Sequence, residues 1–128
     1  MPAKSCPDRK PTVLVVDDSI TICELVQLHL ETAGYDVLLA ADGTDAIELV
    51  MTRKPDLAIV DIEMPDLSGD EFVAALRSNE ATKDIPVIFL SSHEDLAEHA
   101  KLLGAVAYLQ KPVLADRLLE VVALYVLR

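Results

Sequence analysis

Asp17, Asp18, Asp61, Ser91 and Lys111 carry side chains that could together do chemistry on a phosphate. Each stands at or just beyond the end of a short apolar run. Asp17 and Asp18 follow Thr12–Val16, Asp61 ends Leu57–Asp61, Ser91 follows Pro86–Leu90, and Lys111 comes shortly after Ala107–Leu109. Carboxylates brought to one place repel each other unless a cation neutralises them. An all-oxygen donor set suits Mg²⁺, with Mn²⁺ as a substitute, and the lack of thiolate or imidazole in the cluster counts against zinc. Lys111 adds a mobile cation and Ser91 a hydrogen-bond donor. In phosphoryl transfer a protein mainly positions groups and stabilises charge on the equatorial oxygens. A carboxylate nucleophile, a metal, a lysine and a hydroxyl are sufficient parts for an aspartyl phosphate.

For these residues to meet, the chain must bring several strand ends to one edge. The apolar runs Thr12–Val16, Asp36–Ala40, Leu57–Asp61, Pro86–Leu90 and Ala107–Leu109 are rich in Val, Leu and Ile, as strands buried on both faces should be. Between and after them lie amphipathic stretches that predict helices at Ile20–Ala33, Thr44–Arg53, Gly69–Ser78, Asp95–Leu103 and Leu114–Leu127. Gly34 supplies a stop for the first of these and Pro55 closes the second. Such alternation predicts an α/β fold, a doubly wound parallel sheet with helices on both faces. Ligands in these sheets sit outside the carboxyl ends of the strands, which is where the candidate residues fall. Residues 1–10 read as a flexible tail, and 11–128 as a single domain.

Composition narrows the function further. The chain has 128 residues, 52% hydrophobic and 26% charged, as expected of a globular protein. Aromatics are 4% and Trp is absent, so the core must be aliphatic. The formal net charge of −11 argues against direct nucleic acid binding, which needs Lys and Arg against phosphates. Cys6 and Cys23 form neither a metal nor a redox spacing. The polar Met1–Pro11 is no secretory signal, and Val121–Leu127 is far too short to span a bilayer, so a cytoplasmic location without membrane contact is expected.

Val15-Val16-Asp17-Asp18-Ser19, Ile59-Val60-Asp61-Ile62-Glu63-Met64-Pro65, Leu90-Ser91-Ser92 and Tyr108-Leu109-Gln110-Lys111-Pro112 resemble, in order and spacing, the signature blocks of response-regulator receiver domains of two-component signalling. The resemblance covers about residues 10 to 128. It implies a flavodoxin-like five-stranded sheet of order 2-1-3-4-5. It implies Asp61 as phosphoacceptor, with Asp18, Asp61, Asp17 (largely through water) and the backbone carbonyl of Glu63 holding Mg²⁺. Lys111 would pair with the phosphoryl oxygens and Ser91 would donate to one of them. Tyr108 would be the switch aromatic, and Lys111–Pro112 a cis peptide. Glu63 and His93 would flank the attacking water and tune the lifetime of the phosphorylated state. The implied partners are a histidine kinase or histidine phosphotransfer protein and an output domain or effector. The surface of the fourth candidate helix, fifth strand and fifth candidate helix would do the switching, and the family is not one of turnover enzymes.

Plainer readings stand beside these. Asp17, Asp18 and Ser91 could simply cap helices, Lys111 could be an ordinary surface lysine, and Tyr108 a half-buried sheet residue. His29 reads as a boundary residue and His99 as solvent-facing. A haloacid-dehalogenase-type phosphohydrolase shares the parts, but its Asp-x-Asp nucleophile motif is missing and its acidic pair comes last, not first. A flavodoxin-like mononucleotide binder would need a Gly/Ser/Thr-rich loop where Asp17-Asp18-Ser19 stands. A degenerate, binding-only receiver conflicts with the intact acceptor set. The apolar fifth helix offers more surface than one core can use and suggests a homodimer or partner patch.

Overall fold

A computed structural model describes residues 10–62, 69–91 and 105–126. Its strands are β1 (Thr12–Val16), β2 (Asp36–Ala40), β3 (Leu57–Asp61), β4 (Val87–Ser91) and β5 (Ala107–Gln110). The helices are α1 (Ile20–Thr32), α2 (Gly43–Arg53), α3 (Gly69–Arg77) and α4 (Ala115–Val126). The candidate helix at Asp95–Leu103 lies outside the described residues.

All strand pairs are parallel and the order is β2-β1-β3-β4-β5, the doubly wound arrangement expected. Several element boundaries differ by one residue from the sequence reading, one of them for a clear local reason. Pro86 has no N–H for the ladder, so β4 begins at Val87 and takes in Ser91. The Pro86 carbonyl still accepts from Ala58 N at 3.0 Å. The fifth strand runs one residue further, to Gln110.

Alternation of side chains along each strand divides the interior into two cores. Leu14, Val16, Ala58, Val60, Val87 and Phe89 face α2 and α3, where Val50, Phe72 and Leu76 meet them. Val13, Val15, Ile59, Ile88, Leu90 and Leu109 face the other way, against Val26, Leu30, Leu118 and Val122 of α1 and α4. Each fully buried large aliphatic or Phe side chain contributes about 1.5–3 kcal/mol by leaving water. The central strands β3 and β4 are buried throughout, whereas β5 alternates, with Tyr108 and Gln110 exposed.

Helix ends are chemically defined. Ser19 caps α1, its Oγ accepting from Ile22 N at 3.3 Å. At the other end Gly34 adopts φ +100°, with Gly34 N bonded to Glu31 O and Tyr35 N to Leu30 O. This pair of hydrogen bonds is the Schellman closure that a positive φ permits. Asp42 caps α2 by accepting from Asp45 N at 2.8 Å. That helix ends at Lys54, which takes the left-handed conformation (φ 47°) without being glycine. Tyr125 donates its hydroxyl to Val106 O at 3.2 Å and so ties α4 to the start of β5.

Candidate functional site

The carboxyl ends of β1, β3, β4 and β5 converge, and each delivers one of the candidate residues. Asp17 follows β1 and is 1% exposed; Asp61 ends β3 and is 4% exposed; Ser91 ends β4 and is buried. Asp18, which follows Asp17, is exposed. Carboxylate oxygens of Asp17, Asp18 and Asp61 lie within 4.8 Å of one another. That the sheet places two of these carboxylates out of water requires a positive charge nearby.

Lys111 supplies one. Its Nζ lies 3.0 Å from Asp17 Oδ2 and 3.4 Å from Asp61 Oδ2, bridging the ends of β1 and β3. Burial pulls the Lys111 ammonium down, but close contact with Asp17 and the charges of Asp61 and Asp17 outweigh it, so its pKa is raised. Asp17 Oδ2 is buried and pairs with the Lys111 ammonium; beyond that ion pair it accepts no hydrogen bond among the described residues, so it keeps acceptor capacity. A divalent cation would use that capacity, and the donor set is oxygen only. The residues present therefore fit Mg²⁺.

Asp17 is otherwise held on every side. Its N–H donates to Ala40 O of β2 at 3.2 Å, and its Oδ1 accepts from Ser19 N at 2.9 Å. The Cys23 thiol, one turn into α1, donates to its carbonyl at 3.2 Å. Burial, followed by the Asp17 charge, raises the Cys23 pKa, which keeps the thiol protonated and able to donate. The sequence reading passed over this contact. Its signal was a buried-face residue six places after an acidic strand end, a spacing that fits many helices.

The Lys111 side of the site is joined to β4 by a short bond from Lys111 N to Ser91 O, 2.6 Å. The Lys111–Pro112 peptide is cis. Tyr108, opposite Phe89 in the β4–β5 register, is 40% exposed and faces outward here. Glu63 and His93 lie outside the described residues.

Comparison with known proteins agrees with this geometry. Residues 13–123 match the sequence profile of the response regulator receiver domain family. Protein PilG of Pseudomonas aeruginosa is 39% identical over 116 residues, covering 89% of this chain and 86% of PilG. The phosphate regulon transcriptional regulatory protein PhoB of the same species is 39% identical across 79% of this chain, which spans only 45% of PhoB. The chemotaxis response regulator CheY4 of Vibrio cholerae superposes with a TM-score of 0.85 at 34% identity, over 91% of this chain and 99% of CheY4. The chain belongs to the response regulator receiver domain family, whose members are two-component signalling switches and not classical enzymes.

Proposed function

We propose that Asp61 accepts a phosphoryl group from a histidine kinase or histidine phosphotransfer protein, and that the resulting change at β5 controls a partner or output domain. The observation that carries this reading is a buried Asp61 carboxylate at the end of β3, with Lys111 Nζ 3.4 Å away and two further aspartates beside it. In the transfer, an Asp61 carboxylate oxygen attacks phosphorus, the bond from phosphorus to the donor's imidazole nitrogen breaks, and that imidazole keeps the electron pair. Mg²⁺, or Mn²⁺ in its place, would be held by Asp17, Asp18 and Asp61 with the Glu63 carbonyl, and supplies charge that offsets the crowded carboxylates and phosphoryl oxygens.

The chain's own residues do the rest. Lys111 exchanges its contacts with Asp17 and Asp61 for phosphoryl oxygens, and Ser91 donates to another. The phosphoryl group adds about −1.5 to −2 charge and three acceptor oxygens, a demand these two residues meet by moving. Because Lys111 N is bonded to Ser91 O, the two move together. Tyr108 then turns inward from its outward position and alters the face formed by the fourth candidate helix, β5 and α4. That face is the docking place for an effector, an output domain or a second copy of the chain. Glu63 and His93 set the lifetime of the phosphoryl group. Residues 11–128 act as one domain, in the cytoplasm, with 1–10 as a tail. Among the described residues no helix is long and apolar enough to cross a membrane.

Intact mass after incubation with acetyl phosphate tests the reading. One added phosphoryl group is expected with Mg²⁺, none with a chelator, and none in Asp61→Asn. Addition to Asp61→Asn, or none to the wild type with any donor, would remove Asp61 from the role.

A further inference from the structure

We infer that Cys23 is a positioning residue for the acidic corner: its thiol, bonded to the Asp17 carbonyl, fixes where the buried Asp17 carboxylate points and so sets affinity for the divalent cation. This rests on the metal-assisted reading above.

Cys23 is 6% exposed and lies in the first turn of α1. It closes the Asp17-Asp18-Ser19 segment twice. Its N–H donates to Ser19 O at 3.1 Å, the first bond of the helix, while its Sγ reaches back to Asp17 O at 3.2 Å. The Asp17 peptide is therefore pinned at its N–H by Ala40 and at its carbonyl by Cys23. Only then does the side chain bring a carboxylate oxygen within 4.8 Å of those of Asp18 and Asp61, with Oδ2 buried and 3.0 Å from Lys111 Nζ. A carboxylate held this far from water, facing the Lys111 ammonium and two neighbouring aspartates, is aimed at positive charge and is not merely a cap.

Removing the thiol leaves a buried carbonyl with no replacement donor. A buried acceptor in that state is costly, so the peptide shifts to regain a partner and carries its own carboxylate with it. Mg²⁺ demands near-ideal octahedral geometry at about 2.0–2.1 Å and tolerates such shifts poorly. The Cys23 sulfur is engaged with the backbone.

Isothermal titration of the full chain with Mg²⁺ compares wild type with Cys23→Ala, Cys23→Val and Cys23→Ser. Ala removes the donor, Val removes it while keeping volume, and Ser restores an O–H donor. Ala and Val are expected to weaken Mg²⁺ binding about three- to tenfold, and Ser to stay within about twofold of wild type. Melting temperatures in chelator separate this from packing. A lowered melting temperature with unchanged Mg²⁺ affinity in Ala and Val would overturn the inference, as would Ser binding as weakly as Val. The Ser–Val pair decides the matter even if the Ala variant fails to fold. A wild type that takes up no Mg²⁺ defeats the metal-assisted reading itself and the inference with it; a wild type that binds, with variants equal to it, defeats only the inference.

Discussion

The two sides of the site are built differently. On the β1 side Asp17 is buried, with its N–H, its carbonyl and one carboxylate oxygen each hydrogen-bonded to a different residue. On the β5 side Tyr108 is 40% exposed on a four-residue edge strand, and Lys111 follows on a partly exposed turn. One side holds fixed charge; the other holds the groups that move in the function proposed above. A switch needs both, because a shift can be read only against something that stays still.

The sharpest test of that contrast is stability. Leu14→Ala, in the buried middle of β1, is expected to cost about 3 kcal/mol in urea unfolding. Tyr108→Ala, on the open edge, should cost less than about 1 kcal/mol. Equal losses would mean that the β5 edge is as firmly built as the centre.

Lys111→Met comes next, at about 1–3 kcal/mol lost at pH 7, since it strips Asp17 and Asp61 of their shared cation. The pH dependence has a definite sign. The folded-state pKa of Lys111 is raised above its ordinary 10.5, so its contribution is complete below that value and disappears as pH rises through the folded pKa. Unfolding midpoints of the wild type should fall in strong alkali by more than those of Lys111→Met. Parallel alkaline limbs would show that the bridge contributes nothing.

Smaller effects follow at the helix ends. Ser19→Ala removes the cap of α1 and is expected to lower stability by about 1 kcal/mol. Lys54→Gly, remote from the site, should raise it by about 0.5–1 kcal/mol by relieving a left-handed lysine. Thermal unfolding of the pair checks both, and a stabilising Ser19→Ala would contradict the account of a held corner.

The sheet was legible because β-branched and leucine runs have no other comfortable place than a buried parallel strand. So was the meeting of Asp17, Asp61, Ser91 and Lys111, since strand ends of a doubly wound sheet share an edge. What sequence could not convey was partner choice across that edge. Nothing in the spacing told that Lys111 would lie nearer Asp17 than Asp61, because this depends on the path of the turn after β5. Nor did it show the Cys23 thiol reaching back to Asp17, a contact set by the entry angle of α1. Gly34 was readable as a stop, whereas Lys54 was not, because a lysine gives no sign that it will adopt a positive φ.

The contact between Lys111 and Asp61 joins positions 50 apart in the chain. A bond of that span survives only while β5 stays paired to β4, and β5 is the shortest strand and lies at the sheet edge. In amide hydrogen exchange, β5 with α4 should therefore open as a unit of lower free energy than β1 and β3. Each such opening withdraws the lysine while leaving the aspartates assembled, so the fraction of molecules in which the lysine bridges Asp17 and Asp61 is governed by the weakest strand and not by the global stability of the protein.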